Sequence, residues 1–216
     1  MKQLLTVANW KSNKTEEDVR NWFKNFPAAA IFPQNTGVIC PPFTLLSLCK
    51  KLITENNLNF KIGGQNVSPF EPGAHTGEMN AAQLREFAEY VIIGHSERRK
   101  MGEGDDVLKE KVEMADNNDL TVIYCVSNLN QQIPETVDIV AYEPVFAIGT
   151  GTPDTPENAQ KTAKAIKEKN DVRTVLYGGS VTSQNVKRFT QMLDIDGVLV
   201  GGASLDPLEF NKLLQA

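Results

Sequence analysis

The chain has 216 residues, enough to bury a large core, and a net charge of −5 with no block of like charges. This argues against a nucleic-acid-binding surface, which needs clustered basic residues, and no apolar run approaches the length of a membrane span. Cys40, Cys49 and Cys125 have no metal-binding or redox spacing, and without a signal peptide the cytoplasm is the expected location.

Short apolar segments and helical patterns alternate along the chain. Eight segments are typical of β-strands, and in chain order they are residues 4–10, 37–41, 59–65, 90–94, 120–126, 137–143, 172–177 and 197–200. Several of them are continuously apolar. A continuous run indicates burial on both faces, as in a parallel sheet beneath helices.

Between these segments, apolar residues at i, i+3, i+4 and i+7 predict amphipathic helices. The first follows Thr15 as N-cap, and another has Thr155 as N-cap with Pro156 in the first helical position. Further helices are predicted on 45–53, from Ser183 to Leu193, and after Asp206. Eight strands with intervening helices predict an α/β fold, a single (β/α)8 barrel domain over residues 1–216, with a doubly wound sheet as the alternative.

The connection between the fifth and sixth strands is short for a crossover. Parallel strands are normally joined by a dozen or more residues, usually helical, but only ten residues separate Val126 from Val137. Pro134 disfavours helix around it, and Leu129 and Ile133 are spaced for a single turn. We therefore expect at most one helical turn. The outer face of the fifth strand would be covered by flanking helices, by Leu129 and Ile133, or by another subunit.

Residues capable of acid–base chemistry follow the carboxyl ends of the predicted strands, where barrels carry their active sites. Glu143 ends the sixth strand before a glycine-rich segment, and desolvation there would strengthen it as a general base. His95 follows the fourth strand at the expected start of a short helix, where a neutral ring can donate to a carbonyl oxygen. Each alone has a structural explanation, as a surface carboxylate or a capping histidine. Their convergence with Lys11 favours catalysis.

Lys11 and three glycine groups indicate an anionic substrate. Lys11 follows the first strand, where its charge can offset a phosphate and a developing oxyanion. Glycine groups at 149–151, 178–179 and 201–202 follow the last three strands. Glycine lets backbone N–H groups approach phosphate oxygens, and barrel phosphate sites usually follow strands seven and eight. One Gly-Gly pair is usually only a turn, but the three groups together favour a site for a phosphate group.

At these residues the chain closely resembles the triosephosphate isomerase family. The matching segments are Ala-Asn-Trp-Lys at 8–11, Gly-Ala-His-Thr-Gly-Glu at 73–78, Ile-Ile-Gly-His-Ser-Glu-Arg-Arg at 92–99, Ala-Tyr-Glu-Pro-Val at 141–145, Ala-Ile-Gly-Thr-Gly at 147–151, Tyr-Gly-Gly-Ser-Val at 177–181 and Asp-Gly-Val-Leu-Val-Gly-Gly-Ala-Ser-Leu at 196–205. They run in the family's order over nearly the whole chain, and the segments around His95 and Glu143 are the most specific.

The resemblance implies a TIM barrel that interconverts dihydroxyacetone phosphate and glyceraldehyde 3-phosphate, a reaction of glycolysis and gluconeogenesis. Glu143 would transfer the proton and neutral His95 would polarise the carbonyl oxygens. This family is the standard example of these two roles, which therefore rest on the resemblance alone. Asn9 and Lys11 would stabilise the enediolate, with Glu97 orienting Lys11. The phosphate would be held by Gly149, Ser180, Gly201 and Gly202.

The resemblance also implies a lid and a partner. Residues 144–151 would form a lid that excludes water and protects the intermediate. The loop 68–79 would plug into a second copy of the chain, so that Thr76 reaches the partner's site in a homodimer. Beyond the triose substrate and that second copy no partner is implied, neither nucleic acid nor membrane, and no cofactor or metal.

The chain departs from the family's usual pattern in three places. Phe146 stands where tryptophan is usual, which removes an indole N–H at the lid hinge. Ser127 and Asn128 replace the usual Gly-Glu, and the stretch from Cys125 to Ala141 is shortened so that the helix after the fifth strand is reduced or missing. Two other readings remain: a different phosphate-binding barrel isomerase or lyase, and a barrel that has become a binding or scaffold protein.

Overall fold

A computed structural model describes residues 2–27 and 35–216 and shows eight parallel strands closed into a barrel, with β8 pairing back to β1. The strands are β1 Leu4–Asn9, β2 Asn35–Cys40, β3 Phe60–Gly64, β4 Tyr90–Ile93, β5 Thr121–Val126, β6 Ile139–Tyr142, β7 Thr174–Tyr177 and β8 Gly197–Val200. The predicted (β/α)8 barrel is confirmed, and the doubly wound sheet is excluded by the closure.

The helices lie between the strands, except after β5. They are α1 Glu16–Asn25, α2 Leu46–Glu55, α3 Ala81–Arg85, α4 Ser96–Lys100, α5 Asp105–Asp116, α6 Pro156–Asn170, α7 Val186–Thr190 and α8 Pro207–Leu214, with 3-10 turns at Phe43–Leu45, Val145–Ala147 and Gly202–Leu205. Across residues 2–27 and 35–216, no helix is both long and apolar enough to cross a membrane.

The predicted helix caps form. The Thr15 hydroxyl accepts from Asp18 N, and the Asp18 carboxylate accepts from Thr15 N, which completes a capping box at α1. Thr155 caps α6 with Pro156 in its first turn, and the Asp206 carboxylate caps α8. These short sequence signals therefore fix where three of the helices begin.

Several strand ends differ from the prediction by one or two residues, and two further differences concern helices. The helix expected from Ser183 to Leu193 is only α7, and Leu193 is 83% exposed beyond its end. The sixth strand begins at Ile139, because Val137 N donates to Pro134 O in a turn. Helix α5 was not predicted, although Leu108, Val112 and Ala115 carry helical spacing and are buried.

Alternation along the strands places the site. Alternate strand residues form one apolar cluster inside the barrel, made of Leu5, Val7, Val38, Cys40, Ile92, Ile123, Cys125, Ala141, Leu176 and Leu199. Because side chains alternate with a period of two, the next inward position after Val7 is Asn9, after Ala141 it is Glu143, and after Leu199 it is Gly201. The strand pattern therefore carries these three residues over the same end of the barrel interior.

The connection between β5 and β6 contains no helix. Residues 127–138 form turns only, as the short spacing predicts. The Thr136 hydroxyl donates to the Asp116 carboxylate at 2.6 Å, and Lys169 Nζ donates to Leu129 O at 2.9 Å, so the segment is tied to α5 and α6. These ties replace the missing helix as anchors of the connection.

The outer face of β5 is nevertheless buried. Tyr124 and Val126 are each 1% exposed. Helix α5 packs beside β5, and Ile133 is partly buried against the same core, whereas Leu129 is 39% exposed. Helix α5 and Ile133 therefore cover the outer face of β5, whereas Leu129 does not. A groove of about 560 Å³ remains between α5 and residues 132–136.

Residues 120–137 are expected to exchange their amide hydrogens faster than β1 and β8. The turn segment holds its place through a few side-chain hydrogen bonds beside an open groove, and such regions open locally at low free energy. Native-state hydrogen exchange followed by mass spectrometry measures this directly. Equal protection of residues 120–137 and of β1 and β8 would contradict the expectation.

Candidate active site

A cavity of about 290 Å³ opens where the strands end. Its lining comprises Asn9, Lys11, His95, Glu143, Ile148, Gly149, Gly151, Gly178, Gly179, Ser180, Val181, Thr182, Leu199, Gly201, Gly202 and Ala203. Eight of the ten predicted site residues are in this set. The other two are Glu97, which lies behind Lys11, and Thr76, which lies in an exposed loop.

Glu143 and His95 face each other across the cavity floor. Glu143 Oε1 lies 3.2 Å from His95 Nε2, and the two side chains are only 5% and 7% exposed. Glu143 Oε2 is buried with no hydrogen-bond partner among the described residues. Buried polar atoms are normally satisfied, so an unpaired carboxylate oxygen beside a cavity suits a base that must accept a proton there.

The hydrogen bonds of His95 define its tautomer. His95 is the N-cap of α4, and its Nδ1 accepts from Glu97 N at 3.2 Å. A ring nitrogen that accepts from an N–H carries no hydrogen, so the neutral ring has its hydrogen on Nε2, the atom that faces Glu143 and the cavity. This contact at the start of α4 therefore leaves Nε2 as the ring atom that can donate a hydrogen bond into the cavity.

Burial also affects the thiol beneath the base. Cys125 is fully buried under the cavity, and its pKa is raised well above the usual value, first by burial and then by the negative charge of the neighbouring Glu143. The thiol therefore stays protonated beneath Glu143. Cys40, also buried inside the barrel, has its pKa raised by burial in the same way.

Lys11 extends its ammonium group to Glu97. Lys11 Nζ lies 2.6 Å from Glu97 Oε1, with side-chain exposures of 30% and 52%. Burial disfavours the charged form of Glu97, but the hydrogen bond and the charge of Lys11 outweigh it and lower the pKa of Glu97. Glu97 thus stays ionised and holds the lysine at the rim of the cavity.

The backbone of Lys11 adopts a left-handed conformation, with φ of 52°, which is strained for a residue with a side chain. Lys11 N donates to Asn9 Oδ1 at 3.0 Å. Gln65 Nε2 donates to Lys11 O at 2.8 Å and to Cys40 O at 2.9 Å. Asn9 and Gln65 therefore hold the strained turn that aims Lys11. The sequence analysis missed Gln65, since its contacts are to backbone atoms and leave no periodic signal.

The glycine-rich segments line the same cavity as His95 and Lys11. Ser180 Oγ accepts from Gly151 N at 3.1 Å and donates to Ala147 O at 2.6 Å, which draws residues 147–151 onto the turn after β7. Gly149 has a φ of 68°, a value that favours glycine. Gly201 and Gly202 open the 3-10 turn Gly202–Leu205, where backbone N–H groups are free to meet an anion.

Gly178 and Gly179 leave room for neighbouring side chains. A Cβ on Gly178 would lie 2.9 Å from Glu143 Cγ, and one on Gly179 would lie 2.4 Å from the Tyr177 hydroxyl. Both distances are shorter than side-chain contacts allow. Glycine at these two positions therefore leaves space for the Glu143 side chain and for the Tyr177 hydroxyl.

Comparison with known proteins places these residues in context. The family model described as triosephosphate isomerase matches residues 4–216. Proteins named triosephosphate isomerase are similar along their full length. The one from Mesomycoplasma hyopneumoniae (strain 7448) is 39% identical over 99% of each chain, and the one from Aquifex aeolicus (strain VF5) is 37% identical over 97% of this chain and 98% of its own. The one from Ruthia magnifica subsp. Calyptogena magnifica is 33% identical over the whole of both chains.

This chain is shorter than these relatives. The match to the Mesomycoplasma protein spans 246 positions, whereas this chain has 216 residues, so at least 30 positions of that relative have no counterpart here. The helix-free connection between β5 and β6 accounts for part of this difference. The cavity residues lie outside that connection, because each of them lies in or after a strand other than β5.

Proposed function

The chain belongs to the triosephosphate isomerase family and is an isomerase, and from that premise we propose that it interconverts dihydroxyacetone phosphate and D-glyceraldehyde 3-phosphate. The proton would move between C1 and C2 through an enediolate. These substrates belong to glycolysis and gluconeogenesis, so we place the enzyme in those pathways and in the cytoplasm. The observation that carries the proposal is the buried Glu143–His95 pair facing the cavity that Lys11 and the glycine segments share.

Glu143 is the proposed base. It takes the proton from one carbon and returns it to the next, which requires a carboxylate held at fixed distance from both carbons. With substrate bound, the Nε2–H group of His95 would donate a hydrogen bond to the substrate oxygens and no longer face Glu143. This hydrogen bond would stabilise the negative charge that develops on those oxygens. Through its Nε2–H, a neutral ring can donate to the C1 and C2 oxygens in turn.

Lys11, Asn9 and the glycine segments are proposed to bind the anionic parts of the substrate. The Lys11 ammonium, oriented by Glu97, offsets charge on the phosphate and the enediolate. Asn9 lies over the barrel interior beside it. The phosphate would be held by the backbone N–H groups of Gly149, Gly201 and Gly202 together with Ser180.

Residues 144–151 are proposed to be the lid. Val145 and Phe146 are 53% and 59% exposed, so the start of the segment has little packing to hold it. Its end is tied through Gly151 N to Ser180 Oγ. A segment anchored by few bonds over a cavity can open for substrate and close to exclude water.

A turnover assay tests the proposal. The purified chain is supplied with D-glyceraldehyde 3-phosphate, and formation of dihydroxyacetone phosphate is followed by coupled reduction of the ketone. We expect saturable turnover without added metal or cofactor. Activity on another phosphorylated sugar alone would favour a different barrel isomerase, and binding of triose phosphate without turnover would favour a binding protein.

We further propose that the enzyme is a homodimer formed through the loop 68–79. The loop is mostly exposed, and Phe70, 45% exposed, stacks on His75 with ring centroids 4.3 Å apart. Thr76, which follows His75, is exposed and would reach the partner's site. An apolar ring held rigid at the surface is a feature of interfaces.

Sedimentation and activity measured together test the dimer. Thr76→Arg is expected to shift the chain towards monomer and to lower activity in parallel, because the long charged side chain would meet the partner. Leu193→Arg is the matched control, since Leu193 is 83% exposed on a different surface. A wild-type chain that is fully active as a monomer at micromolar concentration would rule the dimer out.

A further inference from the structure

The groove between α5 and residues 132–136 lies where a (β/α)8 barrel would carry a helix after β5. In this fold a ring of helices surrounds the barrel, and every strand of this chain except β5 is followed by at least one helix. Helix α5 and Ile133 bury the strand itself, but a space of about 560 Å³ stays open beside them. The outer ring of helices therefore has a gap at this position.

One face of α5 forms the long wall of the groove. Asp105, Lys109, Val112 and Asp116 line it at spacings of three or four residues. At about 1.5 Å per residue, Asp105 and Asp116 are about 16 Å apart along the axis, or about three helical turns. A volume of about 560 Å³ over that length gives a cross-section of about 35 Å², whereas a helix about 10 Å wide has one of about 80 Å². The groove therefore fits one face of a three-turn helix and leaves the other face in solvent.

The rim of the groove is acidic. It carries one lysine, Lys109, and five carboxylates, which are Asp105, Asp106, Glu113, Asp116 and Glu135. The first, third and fourth of these carboxylates contact Arg99, Lys109 and the Thr136 hydroxyl, respectively. Asp106 and Glu135 are exposed and form no ion pair with a described residue. Because one lies on α5 and the other on the connection between β5 and β6, the groove has an unpaired negative charge on each wall.

The floor of the groove is apolar. Val112, Ile133 and Pro134 line it together with the ring of Tyr124. Val112 and Tyr124 are almost fully buried, whereas Ile133 and Pro134 are partly exposed. The Tyr124 hydroxyl accepts from Arg99 Nη2 at 3.2 Å, so its polar end already has a partner. The groove is therefore suited to apolar side chains at its centre and to positive charges along its rim.

We propose that this groove binds a basic amphipathic helix of a partner protein, which takes the place of the missing helix of the outer ring. The apolar face of that helix contacts Ile133 and Pro134, and its lysine or arginine side chains pair with Asp106 and Glu135. An extended segment fits less well, because its backbone groups need hydrogen-bond partners. The backbone of α5 is bonded within the helix, and the closed barrel has no free strand edge to pair with.

A peptide probe tests this proposal on the full chain. A fluorescent peptide of about 18 residues carries leucine at helical spacing on one face, lysine on both sides of that face and alanine elsewhere. Fluorescence anisotropy measures its binding. We expect saturable binding in the micromolar range and slower amide exchange of residues 127–138 in the complex. The same peptide with a central proline is expected to bind at least about tenfold more weakly, because proline breaks the helix.

Charge reversal on the two walls tests the rim. In Asp106→Lys combined with Glu135→Lys, each attraction becomes a repulsion, so the basic peptide is expected to bind at least about tenfold more weakly. A peptide with glutamate in place of lysine should bind this variant more tightly than it binds the wild type. The matched control is Glu86→Lys combined with Glu110→Lys, which changes the net charge equally at exposed carboxylates outside the groove. The control pair should bind the basic peptide as the wild type does.

Three outcomes would overturn the proposal. Equal binding of the proline peptide would exclude a helix, and equal weakening in the control pair would show attraction to an acidic chain without a site. Displacement of the peptide by an equal concentration of spermine, a cation without an apolar face, would show that the groove selects charge alone. If the double reversal does not fold, Asp106→Asn and Glu135→Gln replace it, and affinity unchanged in both would be equally decisive. These measurements use no substrate, so they are independent of the proposed function.

Discussion

Replacing Glu143 with aspartate is expected to lower kcat about a hundredfold while leaving the fold intact. The shorter side chain draws the carboxylate back by about an ångström, and a misplacement of that size removes most of the benefit of a held base. The backbone of Glu143 is fixed, because Glu143 N donates to Val126 O at 2.7 Å. The backbone of Gly178 lies directly against the Glu143 side chain. The strand end cannot move forward to compensate.

Initial rates with D-glyceraldehyde 3-phosphate, together with thermal unfolding, measure this effect. Glu135→Asp is the matched control, because the same methylene is removed from an exposed residue of the β5–β6 connection. It should leave both kcat and the unfolding temperature unchanged. Turnover of Glu143→Asp close to that of the wild type would mean that Glu143 is not the base.

Replacing Gly197 with alanine is expected to lower the free energy of unfolding by more than about 3 kcal/mol. A Cβ at this position would lie 1.9 Å from Leu5 O and 2.8 Å from Leu5 N. Both are backbone atoms of β1, and Leu5 is paired with Gly197 at the seam that closes the barrel. Relief of the clash therefore requires β1 and β8 to separate.

Chemical denaturation followed by circular dichroism measures the loss. Gly104→Ala is the control with the same substitution, because a Cβ at Gly104 meets no atom within 4 Å and its φ is −85°. It should cost at most about 1 kcal/mol, the difference that a helix cap can make. An unfolding midpoint for Gly197→Ala equal to that of Gly104→Ala would show that β1 and β8 separate at little cost in free energy.

The strands and the inward residues could be predicted because they leave a pattern in the sequence. The continuous apolar runs mark strands buried on both faces, and the order of eight runs predicts closure. The missing helix after β5 followed from a count of residues and from Pro134. The end of α7 could not be read, because Leu193 continues the apolar spacing of the helix although it lies exposed in the structure.

The candidate site was predictable only in part, for a similar reason. Glu143, His95, Lys11 and the glycines stand at strand ends, where residue type and position coincide. Gln65 makes its hydrogen bonds to backbone oxygens of Lys11 and Cys40, and these contacts exist only after folding. Nor does the sequence mark the left-handed backbone of Lys11, since no glycine stands there to signal it. The roles of these residues stay predictions until the variants are measured.

The groove beside α5 leaves room for a segment inserted into the connection between β5 and β6. Both ends of the connection 127–138 are fixed by strand pairing, while its middle faces open space of about 560 Å³. Exposed segments with anchored ends tolerate insertions well. An amphipathic helix inserted between Asn130 and Gln131 would bury apolar surface in that space, and the heat capacity change of unfolding would rise with it. The shortened barrel is therefore a scaffold in which one cover helix can be added, varied or exchanged without altering the ends of the strands that carry the site.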